Sequence, residues 1–196
     1  MISLSRAKKL VKLARDSISS YFDNKELAIA DSIKKEFGEK QGVFVTLYLG
    51  EELKGCIGFP EPVLPLYEAI VEAARSAAFS DPRFPSLRAE EFKELKIEIS
   101  VLTKPEEIKV KEPSEYPSNV KIGEDGLIIK GMYGSGLLLP QVATEWNFDS
   151  EEFLNQVCVK AGLEPNYWRK EKCKIYKFQA QIFNEENGKL VEKKLY

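Results

Sequence analysis

Residues 43–59 alternate twice. In GVFVTLYL, Val43, Val45, Leu47 and Leu49 alternate with Phe44, Thr46 and Tyr48; past Gly50-Glu51-Glu52, Leu53, Gly55, Ile57 and Phe59 alternate with Lys54, Cys56 and Gly58. A period of two on both arms predicts an antiparallel hairpin. With a three-residue loop, the odd-numbered positions of both arms share one face. The same register sets Cys56 opposite Thr46, Lys54 opposite Tyr48 and Gly58 opposite Phe44.

Elsewhere the apolar period is helical. Ala7, Leu10, Val11, Ala14, Ile18, Tyr21 and Phe22 predict an N-terminal amphipathic helix, with Ser3 or Ser5 as its cap. Leu27, Ala30, Ile33 and Phe37 suggest a second helix over 25–37, and LYEAIVEAARSAAF predicts an alanine-rich helix over 66–79 that packs closely on a sheet. After the proline-stiffened SDPRFPSL, a short helical AEEFKEL leads into a strand, KIEISVLT, with Ile97, Ile99 and Val101 inward and Lys96, Glu98 and Ser100 on the other face. Residues 104–118 read as a connection. Short strands follow in NVKIGEDGLIIKGMYGSGLLLP, then a helix opened by Pro140 and another opened by Asp149 with Glu152 and ended by Gly162. KIYKFQAQIF reads as a final strand.

The order hairpin, helix, EEF-containing helical segment, strand occurs twice, over 43–103 and 120–184, and raises a remote internal duplication against chance similarity of common units. The expected fold class is α+β. It consists of antiparallel β-sheet with flanking helices, a single domain over 1–196 with β-rich halves at about 41–103 and 118–185.

Composition narrows the chemistry. The chain has 196 residues, 43% hydrophobic and 11% aromatic, which suits a folded globular protein. Histidine is absent, which removes Ser-His-Asp and Cys-His catalysis and every histidine-containing metal site. A net charge of −2 with interspersed Lys and Glu argues against a nucleic-acid partner, and no apolar run is long enough for a membrane span. The three cysteines, Cys56, Cys158 and Cys173, form no CxxC pair, so neither a disulfide framework nor a zinc site is expected. A charged N-terminus without a signal-peptide core suggests the cytoplasm.

The candidate site follows from strand parity. Gly55, on the core face, admits a close helix or strand; Gly58, on the other face, leaves space beside the Cys56 thiol. If the Glu98 strand lies alongside, the polar face collects Thr46, Tyr48, Lys54, Cys56, Glu98 and Ser100, bordered by Asp81 and by Arg83 as a cation for a carboxylate or phosphate. Three readings of Cys56 stand open. It is a small structural residue, a nucleophile with Lys54 favouring its thiolate and Glu98 moving protons, or a non-covalent ligand contact. Gln141 and Glu145 share a helix face, while Trp146 and Trp168 read as core or subdomain anchors. Cys158 falls at helical spacing with Leu154 and reads as structural.

In order, LKGCIGF, SAAFSDPRFPSL, IEISVLT, GLLLPQVATEW and FLNQVCVKAGL resemble the AMMECR family, named for a human chromosomal region whose deletion includes Alport syndrome and elliptocytosis. The resemblance runs from roughly Leu4 to Phe183. It implies two subdomains of antiparallel sheet and helices. The family's L-(K/R)-G-C-I-G signature falls on Leu53, Lys54, Gly55, Cys56, Ile57 and Gly58, with Lys where Arg is frequent and Phe59 where Thr is common. The resemblance names no reaction and no cofactor. It implies a functional association with Memo-like and radical S-adenosylmethionine proteins, although this chain has no CxxxCxxC cluster motif. The function expected is an enzyme or enzyme accessory acting on a small polar ligand at the Cys56 site; the alternative is a non-catalytic protein-interaction module using the same groove.

Overall fold

The structure, a computed structural model, describes residues 1–131, 134–170 and 173–193. Two compact units divide it, Met1–Leu102 with Gln181–Lys193, and Thr103–Ala180.

The first unit is built on α1 (Leu4–Phe22), α2 (Asp31–Glu36), β1 (Val43–Leu49), β2 (Glu52–Phe59), α3 (Leu66–Phe79) and β3 (Leu95–Leu102). Ser3 caps α1 by accepting the Arg6 N–H at 3.4 Å. Val43, Val45, Leu47, Ile97, Ile99 and Val101 form one apolar sheet face, and Leu10, Ala14, Ile18, Ile70, Ala73, Ala74 and Ala77 of α1 and α3 cover it. The alanines let α3 settle close to the strands. At Gly55 the approach is closest, since a Cβ there would overlap the Ala77 carbonyl oxygen.

The second unit contains β4 (Glu106–Glu107), β5 (Gly126–Lys130), β6 (Ser135–Leu138), α4 (Pro140–Glu145), α5 (Ser150–Lys160) and β7 (Lys174–Phe178). Asp149 caps α5 through the Glu152 N–H at 2.8 Å. Its core gathers Leu127, Ile129, Phe153, Leu154, Val157, Cys158, Trp168 and Ile175.

Both sheets repeat one connection. A hairpin leads through a helix to a third strand that returns beside the first strand of the hairpin and antiparallel to it, giving β2-β1-β3 in one sheet and β6-β5-β7 in the other. Equivalent glycines accept the connecting helix. A Cβ on Gly136 would lie 2.6 Å from the Ala161 nitrogen of the turn ending α5, as one on Gly55 would meet α3. The antiparallel sheets and flanking helices are those expected of an α+β chain.

Several local expectations fail for identifiable reasons. The strands of the first hairpin leave only Gly50 and Glu51 between them, with Gly50 at φ +62°, and the register then slips between Leu47 and Tyr48. Tyr48 therefore opposes Leu53 rather than Lys54, and Lys54 becomes the extra residue of a bulge. A short loop followed by a bulge restores the register of a longer loop, so Thr46 still faces Cys56. The segment 25–37 is helical only over Asp31–Glu36. The supposed last strand divides at Gln179 into β7 and β8 (Ala180–Glu186), which belong to different sheets. β8 continues into a hairpin with β9 (Lys189–Lys193) through Asn187 and Gly188, both at positive φ. Asn-Gly between strands is a strong hairpin signal that the sequence reading passed over. Trp168 is fully buried as expected, but Trp146 is 69% exposed and stacks on Phe148.

Replacing Gly55 or Gly136 with Ala drives a methyl group into helix backbone, which cannot rotate away. Each substitution is expected to lower unfolding free energy by about 1–3 kcal/mol in urea titrations, the range typical of overpacking. A change below a few tenths for both would contradict the close approach.

Candidate functional site

The face of the first sheet opposite its helices carries a polar row, Cys56 on β2, Thr46 on β1 and Glu98 on β3, in direct register. Phe44 and Ser100 extend it on one side, Tyr48 and Lys96 on the other. Thr46, Glu98 and Ser100 are buried; Cys56 is half-buried. The Thr46 hydroxyl donates to Cys56 Sγ at 3.3 Å. Two strand spacings, roughly 9–10 Å, separate Cys56 from Glu98, so Glu98 shares the row without reaching the sulfur directly. A cavity of about 370 Å³ opens at its end of the row, lined in part by Tyr48, Lys96 and Glu98.

β2 is the free edge of this sheet, and the chain after α3 covers that edge at Cys56. The Cys56 N–H donates to Asp81 Oδ2 at 2.9 Å, and Arg83 donates to the Cys56 carbonyl at 3.0 Å. Asp81 also accepts from the Arg83 backbone N–H at 3.1 Å and from its guanidinium at 3.0 and 2.7 Å. The Asp81 side chain is 1% exposed and that of Arg83 56%. The Arg83 hydrogen bonds, aided by the Cys56 N–H and opposed by burial, hold the Asp81 carboxyl far below the usual carboxylate range. Arg83 is raised above its ordinary value, first by Asp81 and further by charge interaction with Cys56.

Lys54 does not serve the thiol as expected. Turned out by the bulge, it pairs with Glu91 at 3.2 Å, both side chains being largely buried. Glu91 lies in the 3-10 turn Glu91–Glu94 and is lowered to about 2, chiefly by the Arg88 backbone N–H and guanidinium and then by Lys54. Nor does Gly58 leave a recess, because a Cβ there would fall 2.5 Å from the Phe44 ring, which already covers the position. Gln141 belongs to the second unit, half-buried on α4, and its buried Oε1 accepts no hydrogen bond among the described residues. Sequence reasoning missed Glu91 and the β8 and β9 residues beside Glu98.

The row is not a requirement of the fold. Matching Leu47–Gly55–Ile97 to Ile129–Gly136–Ile175 sets Ile128, Leu137 and Tyr176 at the positions of Thr46, Cys56 and Glu98. The same connection thus closes with largely apolar side chains in the second unit.

A sequence profile of the AMMECR1 family matches residues 11–183. The chain belongs to the AMMECR1 family. It is 49% identical over 199 residues to Protein MJ0810 of Methanocaldococcus jannaschii, covering 100% of this chain and 98% of the relative. A protein of Methanothermobacter thermautotrophicus is 48% identical, covering 94% and 97%. The crystal structure of the uncharacterized protein PH0010 from Pyrococcus horikoshii superposes with a TM-score of 0.84 at 48% identity, over 94% of this chain and 95% of that one. The likeness covers both units of this AMMECR1-family chain. Among the described residues, no helix is long and apolar enough to cross a membrane.

Two outcomes follow from the burial and the clamp. With a disulfide reagent on the native protein, Cys56 is expected to react well before Cys158 and Cys173; both are buried, and burial pushes Cys173 up to about 12. Equal protection of all three would contradict the lesser burial of Cys56. Asp81 and Glu91 have depressed native values, so their contribution is present above the unfolded carboxylate range and is lost as pH falls. Chemical denaturation should therefore show wild-type stability falling from about pH 5 toward pH 2 more steeply than that of Asp81→Asn, which is already destabilised at neutral pH.

Proposed function

We propose that this chain is a cytoplasmic enzyme, or an accessory to one, that acts on a small ligand bearing a carboxylate or phosphate at Cys56. The reading is carried by one arrangement, a half-buried thiol beside a guanidinium that a buried carboxylate holds in place. Arg83 is the anchor for the anionic group, since its exposed edge still presents N–H donors while Asp81 fixes its plane. Cys56 Sγ is the nucleophile facing the ligand, with Thr46 donating to it and Arg83 placing positive charge nearby. Asp81 is a positioning residue for both Arg83 and the Cys56 backbone. Glu98 and Tyr48 extend the polar surface away from the sulfur. As an accessory, the protein would pass such a ligand to a partner of the Memo-like or radical S-adenosylmethionine kind that the family resemblance implies.

Paired alkylating reagents test the anchor. Iodoacetate carries the anionic group and iodoacetamide does not, so the ratio of their rates at Cys56 reports anion recognition apart from thiol reactivity. Arg83→Gln is expected to lower that ratio several-fold at low salt and to leave the Cys158 ratio in unfolded protein unchanged. An unchanged ratio at Cys56 would remove the anchor and favour the protein-interaction module.

A further inference from the structure

The face that carries Cys56 continues to two groups the thiol reading leaves unused, Phe44 and Ser100. Phe44 stands on β1 between Gly58 of β2 and Ser100 of β3, in register with both. Its ring covers Gly58, two residues along β2 from Cys56 and on the same face. That ring is half-buried and belongs to neither apolar core. Phe84, by contrast, is already engaged, with the Arg83 guanidinium 5.2 Å from its centroid; no ring or cation takes up Phe44 among the described residues. Ser100 is 3% exposed, yet its hydroxyl makes no hydrogen bond among the described residues and its oxygen is not sealed from solvent. A ligand that shields this hydroxyl from water must bring a polar group of its own.

We propose that the ligand anchored by Arg83 is an aromatic acid, its ring laid on Phe44 and a polar substituent of that ring hydrogen-bonded to Ser100. The assignment rests on the reading of Cys56 and Arg83 above and narrows its substrate class. The groups follow one another inward from the free edge of β2: the cation, the sulfur, the Phe44 ring and the Ser100 hydroxyl. Two strand spacings across and two residues along separate Cys56 from Ser100, roughly 12 Å between Cα atoms. One rigid ring with a group at each end spans that length, and a short aliphatic acid does not. A flat ring also meets the Phe44 face in the offset arrangement that aromatic pairs favour.

Uncharged maleimides read the ring and the hydroxyl without the anchor. Each adds the thiolate across its C=C bond, and rates at Cys56 in the native full chain are divided by the rates with glutathione to remove intrinsic reactivity. On that scale N-phenylmaleimide is expected to exceed N-cyclohexylmaleimide several-fold, with Phe44→Leu cancelling the difference and Phe44→Tyr keeping it. N-(4-hydroxyphenyl)maleimide is expected to gain a further few-fold, which Ser100→Ala removes. Equal normalised rates for the phenyl and cyclohexyl reagents on the wild-type chain would overturn the assignment without any variant having to fold. So would a phenyl preference that persists in folded Phe44→Leu, or a hydroxyl gain that is absent or persists in folded Ser100→Ala. The iodoacetate to iodoacetamide ratio reports the anchor separately. With that ratio intact, loss of the ring preference removes only the aromatic class, whereas a Cys56 inert to every reagent removes the thiol reading with it.

Discussion

The Asp81 carboxylate, buried at the outer edge of β2, is the contact on which the candidate site depends. An edge strand presents N–H and C=O groups with no neighbouring strand to receive them. At Cys56 the carboxylate takes the N–H and Arg83 takes the carbonyl, so a side-chain pair stands in for the absent strand. Burying a carboxylate alone would be prohibitive. Here it accepts from the Cys56 amide, the Arg83 amide and the guanidinium, which satisfies its lone pairs and neutralises its charge. The backbone of the cysteine is fixed and a cation is fixed beside it by the same few atoms. Because both backbone groups of Cys56 point outward, its pairing with Thr46 is of the non-hydrogen-bonded kind, in which side chains approach more closely. The 3.3 Å contact between hydroxyl and sulfur follows from that choice.

The two units show what the connection demands and what it leaves free. Both need a glycine on the second strand where the helix crosses, because helix backbone occupies the space of a side chain. Both need apolar residues on the face beneath the helix. On the opposite face one unit carries Ile128, Leu137 and Tyr176 and the other Thr46, Cys56 and Glu98. Burying Thr46, Glu98 and Ser100 in place of apolar groups forfeits hydrophobic stabilisation, and the topology does not require it. That contrast makes the row a candidate for function on physical grounds rather than by resemblance alone.

Much of this was legible from period and parity. Alternation over 43–49 and 53–59 placed Cys56 opposite Thr46, and the pattern of KIEISVLT put Glu98 and Ser100 on the same side. The Gly55 approach to a helix was readable because the following helix is rich in alanine. Three things were not. A bulge conserves parity from Gly55 onward, so there the sequence does not distinguish it from a longer loop; between the bulge and the turn, Lys54 loses its partner and Leu53 moves opposite Tyr48. The use of Gly58 depended on whether a neighbouring ring would lie over it, and Phe44 does. The break at Gln179 separates strands of two sheets within a run whose periodicity barely changes. The Asn187-Gly188 turn, by contrast, was written in the chain and marks the hairpin that walls the cavity at the Glu98 end of the row.

The exchange of Lys54 for Arg83 beside the sulfur has chemical content. A lysine ammonium is a mobile point charge, and one that satisfies Glu91 has little left to offer a ligand. A guanidinium is a planar fork: it can bind a carboxylate along one edge, hold a carbonyl with the same nitrogen and still expose donors to solvent. Arg83 does the first two with Asp81 and Cys56 while more than half of its side chain remains exposed. Strand parity alone pointed to the cation nearest in sequence. The clamp supplies instead a cation from 27 residues away: Asp81 takes the Cys56 N–H, and the residue that donates to the Cys56 carbonyl also donates to Asp81, which calls for donors in several directions at once.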